Sequence, residues 1–145
     1  MSIPYVTYFW YQAEYLGERI PEDAFVKLEN RSRDYLELIT LKRTKNIMTA
    51  QTDTEAMTSI RKAMCAVMEV MYDHAEKVAQ IIAADAAMAE SNVESESVGK
   101  HSIHYAKASS PGTRRALEKE MRYQMLEAAR MYLTLHNLLY VGVWQ

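Results

Sequence analysis

The chain has 145 residues, enough for one domain with a hydrophobic core. A net charge of −2 gives no electrostatic case for binding nucleic acid or anionic membranes, and only 4 Gly and 3 Pro favour long helices over many turns. Cys65 is the single cysteine, which excludes a disulfide framework and favours a reducing compartment. We expect neither a secretory signal nor a membrane span.

The first forty residues predict two helices. Thr7 is a suitable N-cap for a short helix over Tyr8–Tyr15, which Gly17 ends. Pro21 suits a first helical position, and two acidic residues after it favour the positive end of the helix dipole. The second helix is expected to reach about Thr40.

The middle of the chain predicts the longest helix. The segment Leu41–Gln51 is basic and then polar, which predicts a loop, and Asp53 or Thr54 opens the helix. Two sets of mostly apolar residues repeat every seven positions along it, as in helical bundles. They are Met57, Met64, Met71 and Val78, and, offset by three, Ile60, Val67, His74 and Ile81.

Between the last two helices the sequence predicts an excursion over residues 85–112. Residues 85–96 are acidic and rich in small side chains, so we expect the helix to fray there, and Ser102–Tyr105 alternates as in a strand or hairpin arm. Ser109–Thr113 caps the last helix, for which a single buried stripe is predicted. Its members are Leu117, Met121, Met125, Ala128, Tyr132, Leu135 and Leu139.

These elements predict an all-α fold in one domain spanning residues 1–145. Three main helices and a short N-terminal helix form a small bundle over 7–137, followed by an extended tail at 138–145. This tail is almost entirely apolar. In a soluble protein such a segment is expected to be covered, either by its own domain or by a partner.

The residues predict no catalytic group, no metal site and no cofactor. His101 and His104 would point to opposite sides of a strand, and the four glycines are too scattered for a phosphate loop. His74 is expected to be a hydrogen-bonded interior residue. Arg114 and Arg115 oppose the dipole of the last helix; either Glu118 pairs with Arg114, or an anionic partner surface meets one of them.

Four sequence segments, in order, resemble the head–tail connector (adaptor) proteins of tailed bacteriophages. The first contains the Tyr8–Tyr11–Tyr15 spacing followed by Gly17, Ile20-Pro21, Phe25, Arg31-Ser32, Tyr35-Leu36 and Thr40; the second contains Ala63, Cys65 and Glu69. Glu94–Tyr105 is similar to the family's "SExVGxxSVxY" segment. Tyr132-Leu133 with Leu138–Val143 is similar to its closing "YL…GLLYRGV", although His136-Asn137 replaces a small residue and Gly, and Val141 stands where Arg is common.

The resemblance implies a virion structural protein without enzymatic activity, made in the bacterial host cytoplasm and placed at the neck of the particle. Such adaptors form a homo-oligomeric ring, expected to be twelve-fold, between the portal protein and the next neck or tail-completion protein. Genomic DNA passes through this ring without specific binding.

Carried over by position, the resemblance assigns two groups of residues. Portal docking falls on Leu138, Leu139, Tyr140, Val141, Gly142, Val143 and Trp144. A loop towards the channel or a neighbouring subunit would contain Val98, Gly99, Lys100, His101, Ile103 and Tyr105. Arg114 and Arg115 would make charge contacts with a partner, and the methionine seam and the aromatic N-terminus would supply ring interfaces.

Three other readings stay open from the sequence. The first is the collar adaptor of a tail-like bacteriocin or gene-transfer agent. The second is a small helical enzyme or metal-binding bundle that uses His74, His101 and His104. The third is a stand-alone regulatory interaction module.

Overall fold

The computed structural model describes residues 3–94 and 111–139, and over these ranges it is helical, without a strand. The predicted all-α class is confirmed. The helices are α1 (Tyr8–Ala13), α2 (Glu22–Ile39), α3 (Arg43–Ala50), α4 (Thr54–Glu94) and α5 (Pro111–Leu133), followed by a 3₁₀ turn over Thr134–His136. Among them, none is both long and apolar enough to cross a bilayer.

The described chain forms two compact units. The first consists of residues 3–72 and 124–139, and the second of residues 73–94 and 111–123. The single domain expected for residues 1–145 therefore contains two separately packed parts.

The first half of α4 provides the largest share of the core of the first unit. The predicted seven-residue repeat is confirmed here, since Ile60, Met64 and Val67 are fully buried and Met57 is nearly so. Ala63, Cys65 and Met68 are also fully buried, so this part of α4 is covered on more sides than a single seam requires. Around it lie Tyr11, Phe25, Leu28 and Leu36 from α1 and α2, and Met125, Ala129 and Leu133 from α5.

The predicted helix starts are confirmed to within a residue. Thr7 Oγ1 accepts a hydrogen bond of 3.1 Å from the Trp10 amide, and Asp53 Oδ1 accepts one of 3.0 Å from the Ala56 amide. Both are N-cap contacts that satisfy an amide without an intrahelical partner. Pro21 is the N-cap of α2 rather than its first helical residue.

The loop predicted over Leu41–Gln51 is wrong, because Arg43–Ala50 forms α3. The usual boundary residues are missing: Lys42 at its start and Gln51 at its end both adopt left-handed backbone angles. The side chain of Lys42 does not cap the helix, and the Thr40 hydroxyl instead accepts from the Thr44 amide at 3.4 Å. Thr44 and Met48 are buried, and the Thr40 and Thr44 hydroxyls lie 3.3 Å apart. Tertiary packing therefore stabilises a helix that propensity alone does not indicate.

The expected fraying of α4 after Asp85 is also wrong, because the helix continues to Glu94. Residues 85–94 contain alanine and glutamate, which are strong helix formers, and no Gly or Pro. The excursion predicted over 85–112 is therefore wrong for 85–94, which are helical, and for 111–112, which belong to α5. The strand or hairpin predicted at 102–105 lies outside the described residues.

The buried stripe of α5 differs in phase from the prediction. Met125, Ala129 and Leu133 are its buried members, whereas Leu135 is 82% exposed. The buried positions recur every four residues, and Leu135, only two residues after Leu133, therefore lies on the opposite side of the helix.

The second unit buries much less than the first. His74, Val78 and Ile81 of α4 and Leu117 and Met121 of α5 are half-buried, so the seam continues here. However, no residue whose side chain is described within 73–87 and 112–123 is fully buried. Two helical segments alone supply little enclosed volume, and this unit has a seam but no closed core.

Candidate interaction surfaces

The root of the C-terminal tail is fixed by contacts from two other helices. His136 Nε2 lies 2.9 Å from Ser59 Oγ of α4, and Arg43 Nη1 of α3 donates to the Asn137 carbonyl at 3.3 Å. Asn137 has φ of 53°, a conformation that Asn and Gly tolerate best. The amide of Leu138 then donates to the Leu133 carbonyl at 3.4 Å. These contacts hold the chain immediately after α5.

Leu138 and Leu139, which we placed at the start of the docking tail, are buried in the first unit, with 4% and 6% of their surface exposed. Their side chains therefore already stabilise the chain's own core. Tyr140, Val141, Gly142, Val143 and Trp144 lie outside the described residues. Docking by this tail remains a prediction, now confined to residues 140–144.

The loop predicted to face a channel or a neighbouring subunit lies outside the described residues. This holds for all its members, namely Val98, Gly99, Lys100, His101, Ile103 and Tyr105.

Arg114 and Arg115 lie exposed in the first turns of α5. Glu118 does not pair with Arg114 as one reading held; its carboxylate lies 3.6 Å from Arg122 instead. Neither Arg114 nor Arg115 forms an ion pair with any described residue. Contact of Arg114 or Arg115 with an anionic partner surface stays a prediction.

A buried ion pair on α2, which the sequence pattern does not reveal, binds the N-terminal segment. Glu29 Oε2 accepts from the amides of Tyr5 at 2.8 Å and Val6 at 3.4 Å, while its Oε1 lies 3.1 Å from Arg33 Nη2. Arg33 also donates to the Ile3 carbonyl and stacks over the Tyr5 ring, with 5.5 Å between the guanidinium carbon and the ring centroid. In sequence, Glu29 and Arg33 are an ordinary i,i+4 pair, so only the folded chain distinguishes them.

A groove of about 660 Å³ opens beside this segment. Its lining includes Tyr5 of the N-terminal segment and Arg33 of α2. The helices α3 and α4 add Lys45 and Met48, and Met57 and Arg61, respectively. Arg61 Nε donates to the Tyr5 carbonyl at 3.0 Å, and the Tyr5 hydroxyl donates to Glu37 at 2.9 Å. Most of these polar groups thus hold the N-terminal segment rather than facing a ligand.

The aromatic N-terminus and the methionine seam, both considered as ring interfaces, largely serve the core. Tyr11 is fully buried and contacts Tyr8, Tyr15 and Phe25, with ring centroids 5.5–6.0 Å from its own. Met64 and Met68 are fully buried. These side chains are therefore not free to supply a subunit interface.

Large apolar side chains nevertheless remain on the surface of the first unit. Those most exposed are Ile3, Phe9, Leu16, Val26, Leu38, Leu41, Met131 and Leu135. Leu16 and Leu41 also adopt left-handed backbone angles, with φ of 61° and 52°. Leucine at such a position costs about 1–2 kcal/mol, and its exposed side chain regains little of this by packing.

The described residues offer little for catalysis. No group of three His, Cys, Asp or Glu side chains among them is arranged to hold a metal ion. Burial raises the pKa of the Cys65 thiol, and the nearby Glu69 carboxylate raises it further, so this thiol is a poor nucleophile. Ser59 and His136 are hydrogen-bonded, but no described residue hydrogen-bonds the other ring nitrogen, as the orienting group of a triad would.

No family model matches the sequence, no curated protein is significantly similar to it, and no solved structure matches its fold. The resemblance to head–tail connectors therefore depends on the order and spacing of the motifs in the sequence.

Proposed function

We propose that this protein is a virion structural protein that forms the adaptor ring between the portal of a DNA-filled head and the neck or tail of a bacteriophage. It would be made in the bacterial cytoplasm and would act by binding, without a cofactor and without catalysis. The same role in a phage-derived particle, such as a tail-like bacteriocin or gene-transfer agent, requires the same contacts.

The observation that carries the proposal is the ordered resemblance of four segments along the chain. The anchored tail root supports it. Because the contacts to His136 and Asn137 and the burial of Leu138 and Leu139 fix the chain up to residue 139, the apolar residues that follow start from a defined point. A short apolar segment presented from a rigid base pays less ordering entropy when it binds a partner.

The decisive experiment removes residues 140–145 and keeps the buried leucines. We expect this truncated chain to fold with nearly unchanged thermal stability and to fail to join purified portal-bearing heads that lack the adaptor. Two matched chains define the specificity: one replaces residues 140–145 with a Gly-Ser segment of equal length, and the other adds the same segment after Gln145. The first should fail and the second should join heads normally.

Two results would contradict the docking role. If the truncated chain joins heads as well as the full chain, residues 140–145 do not dock. If it unfolds, these residues belong to the chain's own core. The genes beside this one offer an independent check, since they should encode portal, capsid and tail proteins.

A further inference from the structure

The backbone of Asn137 is held by an arginine that is distant in the sequence. Arg43 Nη1 donates to the Asn137 carbonyl at 3.3 Å, across 94 residues. Arg43 is exposed and forms no ion pair with a described residue. Because fixing a long exposed side chain costs entropy, one hydrogen bond from it adds little to the stability of the domain. The effect of this contact is therefore local, on the chain at Asn137.

The backbone is strained on both sides of this contact. Leu41 and Lys42, which lead into α3, have φ of 52° and 65°, and Asn137 has φ of 53°. Left-handed angles are unfavourable for residues with a β carbon, and least so for asparagine. Leu41 and Lys42 are exposed, so their side chains regain little by packing. Strain of this kind persists where the surrounding structure fixes it, and it often marks a functional segment. Here the strained entry makes Arg43 the first residue of α3, from which it reaches Asn137.

A second lateral contact holds the residue before Asn137. His136 Nε2 lies 2.9 Å from Ser59 Oγ of α4, and both side chains are half-buried. Two adjacent residues are thus attached to two different helices, immediately before the buried Leu138 and Leu139. A single attachment would leave the chain free to rotate about it, whereas two attachments to separate elements fix its direction as well as its position.

We propose that Arg43 and Ser59 are positioning residues for the docking tail. Their contacts with Asn137 and His136 fix the direction in which the chain leaves Leu139, and this raises the affinity of residues 140–145 for the portal. A segment that leaves in one direction loses less conformational entropy on binding than a segment that swivels. This inference rests on the proposed function and adds to it two residues that act through the tail.

Amide hydrogen exchange of the full chain tests the positioning without a partner. The Leu138 amide, which donates to the Leu133 carbonyl, is the reporter. Arg43→Met combined with Ser59→Ala removes both lateral contacts, so Leu138 should exchange about tenfold faster or more, while the amides within α4 keep their rates. Arg31→Met is the matched control, because Arg31 is exposed on α2 and hydrogen-bonds no described residue; it should leave the exchange of Leu138 unchanged.

Attachment to purified portal-bearing heads that lack the adaptor measures the consequence. Arg43→Met and Ser59→Ala should each weaken attachment about three- to tenfold, the equivalent of one hydrogen bond, and the two together should weaken it further. Arg43→Lys keeps a charged donor and should restore most of the loss. A flexible Gly-Ser segment inserted between Leu139 and Tyr140 separates the tail from its root. In that chain Arg43→Met should cause no further loss, because the direction at Leu139 no longer matters.

The outcomes separate this proposal from the docking role. The positioning role is overturned if Leu138 exchanges at the parent rate in the double variant, or if that variant attaches as tightly as the parent while removal of residues 140–145 abolishes attachment. It is also overturned if Arg43→Met weakens attachment equally with and without the inserted segment, because Arg43 would then act independently of the tail. If removal of residues 140–145 leaves attachment unchanged, the docking role fails and this proposal fails with it.

Discussion

Gly17 allows a sharp test of how the N-terminal aromatic cluster is packed. A methyl group added at this position would overlap the Tyr11 ring at Cε1 and Cζ and would lie 2.7 Å from its hydroxyl oxygen. Nonbonded carbon atoms prefer separations of about 3.5–4.0 Å, so the ring or the backbone must move in Gly17→Ala. Gly17 has no positive φ, which means that close approach, not backbone conformation, excludes larger residues here.

The ring has little freedom to move. Tyr11 is fully buried, its hydroxyl donates to Glu69 at 2.9 Å, and it accepts from the Ile20 amide at 3.2 Å. Overpacking costs about 1–3 kcal/mol, and losing one or both hydrogen bonds adds about 0.5–1.5 kcal/mol each. We therefore expect Gly17→Ala to lower the free energy of unfolding by about 2–5 kcal/mol, equivalent to a melting temperature roughly 5–15 °C lower.

Chemical denaturation with circular dichroism measures this change directly. Gly112→Ala is the matched control: this glycine is exposed in the first turn of α5, and the change should raise the free energy of unfolding by about 0.4–1 kcal/mol, opposite in sign to Gly17→Ala. In a Tyr11→Leu background, Gly17→Ala should lose most of its effect, because the overlapping ring is gone. A Gly17→Ala protein as stable as the parent, or an equal loss in both backgrounds, would refute the packing argument.

Three further predictions follow from the strained turn, the buried ion pair and the tyrosines. Leu16→Gly should raise the unfolding free energy by about 0.5–1 kcal/mol by relieving a left-handed leucine, whereas Leu38→Gly, at an equally exposed helical position, should lower it by about 1 kcal/mol in the same denaturation assay. Glu29→Gln should cost about 3 kcal/mol because it leaves Arg33 buried without its counter-charge; the exposed pair Glu118–Arg122 is the control, and Glu118→Gln should cost less than about 0.5 kcal/mol. Burial, together with the hydrogen bond to Glu69, raises the pKa of Tyr11 from 10 to about 12, so the unfolded chain loses this proton first and stability should fall as pH rises from about 10 to about 12; melting curves and tyrosinate absorbance that show no loss over this range would contradict it.

The sequence predicts the fold best where a local pattern is compatible with only one structure. The seven-residue repeat through Ile60, Met64 and Val67 places α4 in the core because apolar periodicity is a direct consequence of burial. In contrast, α3 has neither of the usual cap residues, and it is held by the burial of Met48 and by the hydrogen bond from Arg43 to the distant Asn137 carbonyl. Contacts between distant residues decide such elements, and a local pattern does not contain them.

The candidate surfaces also combine features that a local pattern predicts with features that depend on contacts between distant residues. The apolar tail is conspicuous in sequence, but where it leaves the core depends on Ser59 and Arg43, which are far from it along the chain. The ion pair of Glu29 and Arg33 has the spacing of a surface pair and becomes buried because the N-terminal segment crosses α2. The sequence places Arg114 and Arg122 both four residues from Glu118, and only the folded helix shows that Glu118 pairs with Arg122.

The anchored tail root also determines how the molecule would carry mechanical load. A pull on the chain beyond Leu139 acts first on the His136–Ser59 and Arg43–Asn137 contacts, which pass the tension sideways into α4 and α3. The last turn of α5 therefore does not bear the force alone, and it cannot peel away one hydrogen bond at a time until both lateral contacts break. Pulling the tail out of the domain therefore requires the loss of both contacts together with the burial of Leu138 and Leu139.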